Sequence, residues 1–342
     1  MKKIEDIPKK AQAVILKNYS EQKPDITTEE VDVPLPKHGE VLVRMISSPI
    51  NPSDLMFTKG LYGFKKELPV IPGFEGCGIV VAAGGDLTSK FLLGKRVACG
   101  ATESGSGTWA NYMLTSSSYC MPIKKFVKDE EAAMMIVNPM TAWGLVDQAV
   151  IGNHKAIVQT AAASALGKMI IRLGKRRSIP TINIVRRDEQ VQLLQQQEKA
   201  QYVINSNDED FCEKLQDLCH KLKATIAFDA VTGELSAQVA AAMPIKSELL
   251  VYGSLSQEPV NISSRDLIFQ QKIVRGFWLS QWLKEKNLLS KIRNVGKVQK
   301  LLSNDLNTHI QEQIPLSDVA KGLELYENNM TAGKVLLKCS MQ

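Results

Sequence analysis

From residue 156 onward, the sequence alternates short apolar runs with longer runs of apolar residues at helical spacing. The first such unit contains AIVQT (156–160), SALGKMIIRLG (164–174) and TINIV (181–185), all within thirty residues. Two parallel strands need a crossover connection of about a dozen residues or more, which a helix usually supplies. We therefore predict a β-α-β unit in which Gly174 ends the helix and Pro180 breaks the chain before the second strand.

The same alternation continues to residue 255. Its further segments are a helix around QVQLLQQQEKA (190–200), YVIN (202–205), a helix around FCEKLQDLCHKL (211–222), IAFDAV (226–231) and LLVYGSL (249–255). Repeated strand and helix alternation is typical of a parallel sheet with helices on both faces. The sequence thus predicts a doubly wound α/β domain over residues 138–283.

The chain before residue 138 has a different pattern of apolar and turn-forming residues. Short β-type runs such as EVLVRMI (40–46) and GCGIVVAAG (76–84) are separated by Pro, Gly and Asn turns, which indicates a mostly antiparallel barrel. Near the end, AGKVLLKC (332–339) is one more strand that we expect to return to this barrel. The barrel domain therefore takes residues 1–137 and 284–342.

The stretch from 283 to 302 predicts an amphipathic helix. Its apolar residues recur at helical spacing, with lysines on the opposite side. These residues are Leu288, Leu289, Ile292, Val295, Val298 and Leu301.

Composition excludes several classes of function. The 42 Lys and Arg residues exceed the 36 Asp and Glu residues to give a net charge of +6, but they are dispersed, which argues against nucleic-acid binding. No run approaches the ~18 apolar residues of a membrane span, so we expect a soluble protein. The six cysteines and four histidines show no CxxC pair and no metal-ligand spacing, which predicts reduced thiols and no metal site.

The turn TAAASALGK (160–168) is typical of the passage from a strand into a phosphate-binding helix. Such a turn needs small residues so that backbone N–H groups can approach a pyrophosphate closely. Ala165 fits only if its φ angle stays negative, because the left-handed conformation costs a non-glycine residue about 1 kcal/mol or more. By itself the turn is equally typical of an ordinary buried helix start.

A second indication lies at the end of the following strand, where Arg186 and Arg187 follow Val185. An NAD-binding domain places an acidic residue about 20 residues beyond the turn, on the ribose 2′-hydroxyl. Two guanidinium groups suit a 2′-phosphate instead, because they bind phosphate bidentately. The pair favours NADPH over NADH, although an exposed basic turn would have the same sequence.

Eight segments occur in the order and at the spacing typical of one known family. They are INPSD (50–54), GLYGF (60–64) followed by ELP, PGFEG (72–76), GTWANY (107–112), VNPMTAW (137–143), TINIVRR (181–187), VYGSL (251–255) and RGFWLSQW (275–282). The chain resembles the mitochondrial trans-2-enoyl-CoA/acyl-carrier-protein reductases, zinc-free members of the medium-chain dehydrogenase/reductase superfamily. The resemblance runs from about residue 11 to the end. RGFWLSQW is its most specific motif, whereas NPSD is shared with zinc-free quinone reductases.

The resemblance implies a GroES-like barrel domain that carries catalysis and a Rossmann domain that binds NADPH. It makes Tyr62 the catalytic residue. The residues that it places along the cofactor are Asn138, Ala163, Ser164, Ala165, Leu166, Gly167, Arg186, Arg187, Tyr252, Gly253, Phe277, Trp278, Leu279 and Lys334. Without the family, Phe277 and Trp278 would be read as core aromatics and Tyr62 as a residue packing a loop tip.

This sequence departs from the family pattern at two places. Ala165 stands where the family usually has glycine, and Arg186, Arg187 and Asp188 replace an Arg-Asp-Arg order. Zinc-dependent relatives have Cys and His where this chain has Asn51 and Phe74, so the resemblance implies that no zinc is bound.

The implied reaction is hydride addition to the β-carbon of an enoyl thioester, followed by protonation of the α-carbon. A phenol such as that of Tyr62 can stabilise the enolate and supply the proton without a metal. Two alternatives remain open. The chain could be an NADPH:quinone reductase of the same fold, or a structural or interaction subunit that lost activity when its glycine turn eroded.

The resemblance also concerns partners and location. The substrate would be an enoyl thioester of CoA or of acyl carrier protein, and the relatives imply a homodimer in the mitochondrial matrix. The N-terminal segment is basic but interrupted by Glu5 and Asp6, so no long presequence is visible and the cytoplasm stays open. A landing area for an acidic carrier, or simply a solvated surface, could be formed by Lys65, Lys66, Lys284, Lys286, Lys291 and Arg293.

Overall fold

A computed structural model describes residues 7–103 and 105–340. The chain divides into two compact units. The first comprises Met1–Val137 and Val295–Gln342, and the second comprises Asn138–Asn294. The first six residues, which belong to the segment considered for a presequence, lie outside the described residues.

The N-terminal part of the first unit consists mainly of strands. These are β1 (Lys10–Asn18), β2 (Asp25–Asp32), β3 (Glu40–Pro49), β4 (Glu75–Ala83), β5 (Arg96–Gly100), β6 (Tyr112–Ser116) and β7 (Cys120–Pro122). Three short helices lie between or after them, namely α1 (Pro52–Thr58), α2 (Leu87–Leu92) and α3 (Asp129–Ala133).

The second unit alternates helices and strands. In chain order they are α4 (Val137–Ile151), β8 (Ala156–Gln159), α5 (Ala165–Arg176), β9 (Thr181–Val185), α6 (Asp188–Gln197), β10 (Tyr202–Asn205), α7 (Phe211–Leu222), β11 (Ala224–Asp229), α8 (Glu234–Ala242), β12 (Glu248–Val251), α9 (Ser264–Ile268), β13 (Ile273–Gly276), α10 (Leu279–Glu285) and α11 (Leu288–Leu301). The chain then returns to the first unit with β14 (Ile310–Pro315), α12 (Val319–Asn328) and β15 (Lys334–Lys338).

The sheet of the second unit is parallel throughout. Its six strands follow the order β10-β9-β8-β11-β12-β13, and every pairing in it is parallel. All residues of β8 and β9 are buried, because helices cover both faces of such a sheet. The predicted doubly wound domain is confirmed, and the order reverses between β8 and β11, where ligands bind in sheets of this kind.

The main sheet of the first unit is mostly antiparallel. It has seven strands, with β14-β15-β3-β4-β5-β7 in sequence across the sheet and β6 paired with β3. As predicted, β15 returns to this domain and pairs antiparallel with β3. Trp109 is fully buried in the core of the unit, and its indole N–H donates a hydrogen bond to the carbonyl of Pro49 over 3.2 Å.

Two details of the predicted elements are wrong. Gly174 lies inside α5, which continues to Arg176, because glycine is needed there for close packing rather than for termination. A Cβ at this position would lie 2.8 Å from the carbonyl oxygen of Ile179. The single helix predicted over 283–302 is instead divided between the end of α10 and α11.

The apolar side of α11 is only partly buried. Leu288, Leu289 and Ile292 are 60–74% exposed, whereas Val298 is fully buried. The amphipathic pattern therefore corresponds to packing only toward the C-terminal end of the helix.

The second unit extends to residue 294 rather than to 283, where the sequence analysis set the boundary. Contacts within the unit account for this extension. The Lys286 ammonium lies 3.6 Å from the Asp147 carboxylate, and the Trp143 indole N–H donates to the Asn294 side-chain oxygen over 3.3 Å. Asp147 and Trp143 lie on α4, so these two contacts join residues 286 and 294 to the second unit.

Within the described residues, no helix is both long and apolar enough to cross a bilayer. All six cysteines are free thiols, and Cys212 is the exposed one among them.

Candidate active site

The turn between β8 and α5 lies at the carboxyl edge of the parallel sheet. The Ser164 hydroxyl caps α5 by accepting a hydrogen bond from the Gly167 N–H over 3.0 Å. Among the hydrogen bonds of the described residues, none uses the backbone N–H of Ala165 or Leu166. These two first-turn donors can therefore serve an anion, and the positive end of the helix dipole favours one.

Backbone strain in this turn lies at Ala161 and not at Ala165. Ala165 begins α5 with a negative φ angle, which is the condition that the sequence analysis set for it. Ala161 has φ 49°, a left-handed conformation that costs a non-glycine residue about 1 kcal/mol or more. The turn is held around it, since the Ala161 carbonyl accepts from the Ser164 N–H and the Ala162 N–H donates to Ile184.

Gly167 allows the helix and the turn to approach each other closely. A Cβ at this residue would lie 2.5 Å from the carbonyl oxygen of Ala162, which is a backbone atom that cannot easily move. The Gly167 carbonyl also accepts a hydrogen bond from the buried side chain of Gln159 over 3.1 Å. The one glycine retained from the expected motif thus stands where a side chain would separate α5 from the turn.

The edge of the sheet near β11 and β12 adds a buried phenol. The Tyr252 hydroxyl is buried and has no hydrogen-bond partner among the described residues. Burial, with a smaller contribution from the Asp229 carboxylate, raises the pKa of Tyr252 well above its ordinary range. At the adjacent Gly253, a Cβ would lie 3.2 Å from the carbonyl oxygen of Ala230. An unpartnered donor beside a closely packed glycine is what a bound polar group would complete, so these residues fit a dinucleotide.

Arg186 and Arg187 follow β9 and are both exposed. The Arg186 carbonyl accepts a hydrogen bond from the Asn207 side chain over 2.9 Å, which fixes the backbone that carries the first guanidinium. Asp188 is directed elsewhere, because its carboxylate accepts from the Asn205 side chain over 2.8 Å. The altered order of the two arginines and the aspartate therefore leaves both cations available.

The two aromatic residues of RGFWLSQW differ in burial. Phe277 is buried, and its ring centroid lies 6.3 Å from that of Trp282. A Cβ on Gly144 would lie 2.7 Å from the Phe277 ring, so this glycine makes room for it. Trp278 is 45% exposed and precedes the first residue of α10, Leu279. The interpretation of both residues as core aromatics is therefore correct for Phe277 and wrong for Trp278.

Tyr62 belongs to an aromatic cluster in the first unit. Its ring centroid lies 4.6 Å from that of Phe74 and 5.1 Å from that of Phe64. Phe57, from α1, contacts both phenylalanines edge-on. Tyr62 is only partly exposed, and its ring packs against two others.

Sequence reasoning missed a buried polar cluster in the first unit, formed by Asn51, Asp54, Glu75, Tyr326 and Lys334, each at most 3% exposed. The Lys334 ammonium donates to the side-chain oxygen of Asn51, to the Tyr326 hydroxyl over 3.0 Å and to a backbone carbonyl over 3.3 Å. Lys334 is thus a member of this cluster, and its predicted place along the cofactor stays a prediction. In the sequence, the NPSD motif was the one indication of this cluster.

The two carboxyl groups of this cluster are held by backbone donors. Glu75 accepts from the N–H groups of Ile136 (2.8 Å) and Val137 (2.9 Å) and from the Asn51 side chain (3.0 Å). Burial raises the pKa of Glu75, and burial also raises the pKa of Asp54, to about 7. Asn51 therefore joins an ammonium group to a carboxyl group.

Within the described residues, no group of three or more His, Cys, Asp and Glu side chains is placed to hold a metal ion. At the two positions that supply Cys and His in zinc-dependent relatives, Asn51 uses its side chain in the buried polar cluster and Phe74 contacts Tyr62.

Two of the lysines considered for a carrier landing area are already engaged. The Lys66 ammonium donates to the carbonyls of Thr102 (2.8 Å) and Gly105 (2.7 Å), and burial lowers the pKa of Lys66. Lys286 pairs with Asp147, as described above. Lys66 and Lys286 are therefore structural, whereas Lys65, Lys284 and Arg293 are exposed.

Asn138, the remaining predicted cofactor residue, is the second residue of α4 and is half-buried. Ala163 is buried behind the turn. The turn between β8 and α5 lies beside the ends of β9 and β11, because the Ala162 N–H bonds Ile184 and the Ala230 N–H bonds Thr160.

Comparison with known proteins gives matches over most of the chain. The model of the alcohol dehydrogenase GroES-like domain matches residues 37–125, and that of the zinc-binding dehydrogenase domain matches residues 165–294. A mitochondrial enoyl-[acyl-carrier-protein] reductase from Arabidopsis thaliana is 32% identical over 270 residues, which are 76% of this chain and 70% of that protein.

Solved structures share the fold. A putative NADPH:quinone reductase from Mesorhizobium loti is 34% identical, with a TM-score of 0.87 over 97% of this chain and 99% of that one. The Etr1p complex with NADP and crotonyl-CoA has a TM-score of 0.79 over 96% of this chain and 99% of that one, at 22% identity.

The substitution Gly167→Ala tests the proposed phosphate-binding turn. The added Cβ must push α5 away from Ala162, which moves the free N–H groups out of reach of a pyrophosphate. We expect NADPH affinity to fall at least tenfold, about 1.4 kcal/mol, together with a lower Tm. Fluorescence titration with NADPH and thermal unfolding measure the two effects.

Gly296→Ala is the matched control, because the space around Gly296 in α11 is open. Alanine favours a helix more than glycine does, so Tm should stay equal or rise while NADPH affinity is unchanged. An unchanged affinity in Gly167→Ala would contradict the assignment of the turn.

Proposed function

The chain belongs to the enoyl-[acyl-carrier-protein] reductase family of the medium-chain dehydrogenase/reductase superfamily, and from this membership we propose that it reduces trans-2-enoyl thioesters with NADPH. The observation that carries the proposal is a phenol, that of Tyr62, packed against the rings of Phe64 and Phe74. NADPH, when bound, supplies a hydride to the β-carbon of the substrate. The reaction then needs a proton at the α-carbon, and the chain must provide it.

Tyr62 is the proposed source of that proton. Its hydroxyl donates a hydrogen bond to the thioester oxygen, where negative charge collects as the C–C double bond takes up the hydride. The phenol proton, or one relayed through it, then reaches the α-carbon, so that one hydride and one proton together saturate the double bond. The carboxyl edge of the parallel sheet would hold the cofactor. The N–H groups of Ala165 and Leu166 would bind its pyrophosphate, and Arg186 and Arg187 would bind its 2′-phosphate.

An NADPH:quinone reductase is the second candidate. The 34% identity to a structure described as a putative enzyme of that class favours it. Reduction of a quinone needs no residue that protonates a carbon atom. The two candidate reactions therefore differ in their dependence on Tyr62.

The relatives named as mitochondrial support a place in the mitochondrial matrix and in fatty acid synthesis. The Asn51 and Phe74 side chains, neither a zinc ligand here, support a reaction without zinc.

We also propose that two copies join through the edge strand β13. This strand pairs with β12 on one side, and its outer side belongs to no pairing among the described residues. Ile273 is 50% exposed, and Ile268 and Phe269 just before it are 65% and 78% exposed. An uncovered strand edge beside apolar side chains is suited to pairing with a second chain.

Replacing both Arg186 and Arg187 by Ala tests the nucleotide preference. Each charge-assisted hydrogen bond to the 2′-phosphate contributes roughly 1.5–3 kcal/mol, so KM for NADPH should rise at least tenfold. KM for NADH, which lacks that phosphate, should stay within about twofold. Steady-state kinetics with both nucleotides measure this, and a parallel rise of both KM values would mean that the arginines do not read the phosphate.

Tyr62→Phe separates the two candidate functions. Loss of the proton donor should lower kcat for crotonyl-CoA reduction about 100-fold or more, while quinone turnover and NADPH affinity stay as in the wild type. The assays are run with EDTA present, and unchanged wild-type activity is expected for a reaction without zinc. Full crotonyl-CoA turnover by the variant would refute the role of Tyr62.

Val274→Pro tests the dimer. The Ile273 N–H points toward β12, where it bonds Ser247, so the neighbouring Val274 N–H points outward. Proline there removes an outer donor without removing a bond to β12. Light scattering after size exclusion should give a dimer for the wild type and a monomer for Val274→Pro, and Phe269→Lys should weaken the same dimer. A monomeric wild type would end this proposal.

A further inference from the structure

We propose that Asp54 is a positioning residue for Tyr62, because its carboxyl group ties the start of α1 to the segment that carries Phe74. The inference rests on the proposed role of Tyr62 in catalysis. It adds a group that does not itself touch the substrate but fixes the ring that does.

Asp54 is fully buried in the first turn of α1. One of its oxygens accepts the Asn51 N–H over 2.8 Å, and the other accepts the Phe74 N–H over 3.0 Å. A single carboxyl group therefore connects two backbone segments that are about twenty residues apart in sequence.

Both connected segments lead to Tyr62. On one side, the Phe74 ring lies against the Tyr62 ring with centroids 4.6 Å apart. On the other side, α1 runs directly into the Tyr62 loop, where the Leu61 N–H donates back to the Met56 carbonyl over 2.9 Å. Shifting either end of α1 relative to Phe74 would consequently move the phenol.

The charged groups that face Asp54 are Lys334 from β15 and Glu75 from β4. Burial has the largest effect on the pKa of Asp54 and raises it to about 7, whereas the backbone donors and Lys334 oppose this rise and Glu75 adds to it. Above this pH the ionised carboxylate accepts both N–H groups fully. Below it, one oxygen carries a proton and accepts more weakly, so the tie between α1 and Phe74 loosens as pH falls.

The test is Asp54→Asn, in which one oxygen acceptor becomes an NH₂ donor and can no longer accept an N–H group. At pH 8, kcat for crotonyl-CoA should fall about 10- to 100-fold, because small displacements of a catalytic group have effects of this size. KM for NADPH should stay within about twofold. The wild-type decrease of kcat below about pH 7 should be absent in the variant.

Glu75→Gln is the matched control, since it changes a neighbouring buried carboxyl group that does not bond Phe74. It should keep an inflection in kcat, at a pH below the wild-type one, because the Glu75 charge raises the pKa of Asp54. A double-mutant cycle with Phe74→Leu tests the route, because removal of the ring should make the Asp54→Asn loss of kcat clearly smaller than in the wild-type background. Additive losses would overturn the role of Phe74 as the link.

A readout independent of activity separates this inference from the proposed function. With 4-fluorophenylalanine at position 74, the fluorine resonance should shift with a midpoint near pH 7 in the otherwise wild-type protein and at a lower pH in Glu75→Gln. It should show no such shift in Asp54→Asn. A fluorine resonance that does not shift with pH would overturn the positioning role of Asp54, even if Tyr62→Phe is inactive. An active Tyr62→Phe refutes the catalytic role of Tyr62 instead, whatever the resonance does.

Discussion

The contact between the backbone of α5 and the turn before it determines what the second unit can bind. Gly167 must lie against the Ala162 carbonyl for the first turn of α5 to reach the carboxyl edge of the sheet. The turn achieves this with Ala161 in a left-handed conformation rather than with a second glycine. The cost, of order 1 kcal/mol, is borne by a turn whose neighbouring atoms are fixed by hydrogen bonds to β9. An eroded glycine motif is therefore compatible with an intact anion site, and it gives no support to a subunit that lost its cofactor.

In the first unit, a buried ammonium group has a comparable organising role. Lys334 lies on β15, nearly three hundred residues after Asn51 in sequence, and its bonds join the last strand of the chain to the start of α1. Desolvating an ammonium is costly unless its hydrogen bonds are satisfied, and three oxygen acceptors satisfy this one. The same cluster contains Asp54 and Glu75, so the segments around Tyr62 are fastened by charged groups that the solvent does not screen.

Sequence patterns were sufficient for features set by local periodicity. The parallel sheet follows from short buried runs such as β8 and β9, and the basic turn follows from two adjacent arginines. Features set by contacts distant in sequence could not be predicted in this way. The packing of Gly174 on Ile179, the burial of Lys334 and the exposure of Trp278 depend on neighbours that no local pattern identifies. The strained backbone at Ala161 was not predicted either, because alanine rarely takes a left-handed conformation. The sequence analysis had considered only Ala165 for such a conformation.

The fold alone does not distinguish an enoyl reductase from a quinone reductase, since both are found among structures of this shape. The distinction depends on a chemical need that one substrate has and the other lacks. An enolate requires a proton at carbon and a donor at its oxygen, whereas a reduced quinone takes protons on oxygen from water. A flat acceptor would gain nothing from a phenol held by Phe64 and Phe74 and, through Asp54, by the start of α1. The proposed role of Tyr62 therefore favours thioester reduction over quinone reduction.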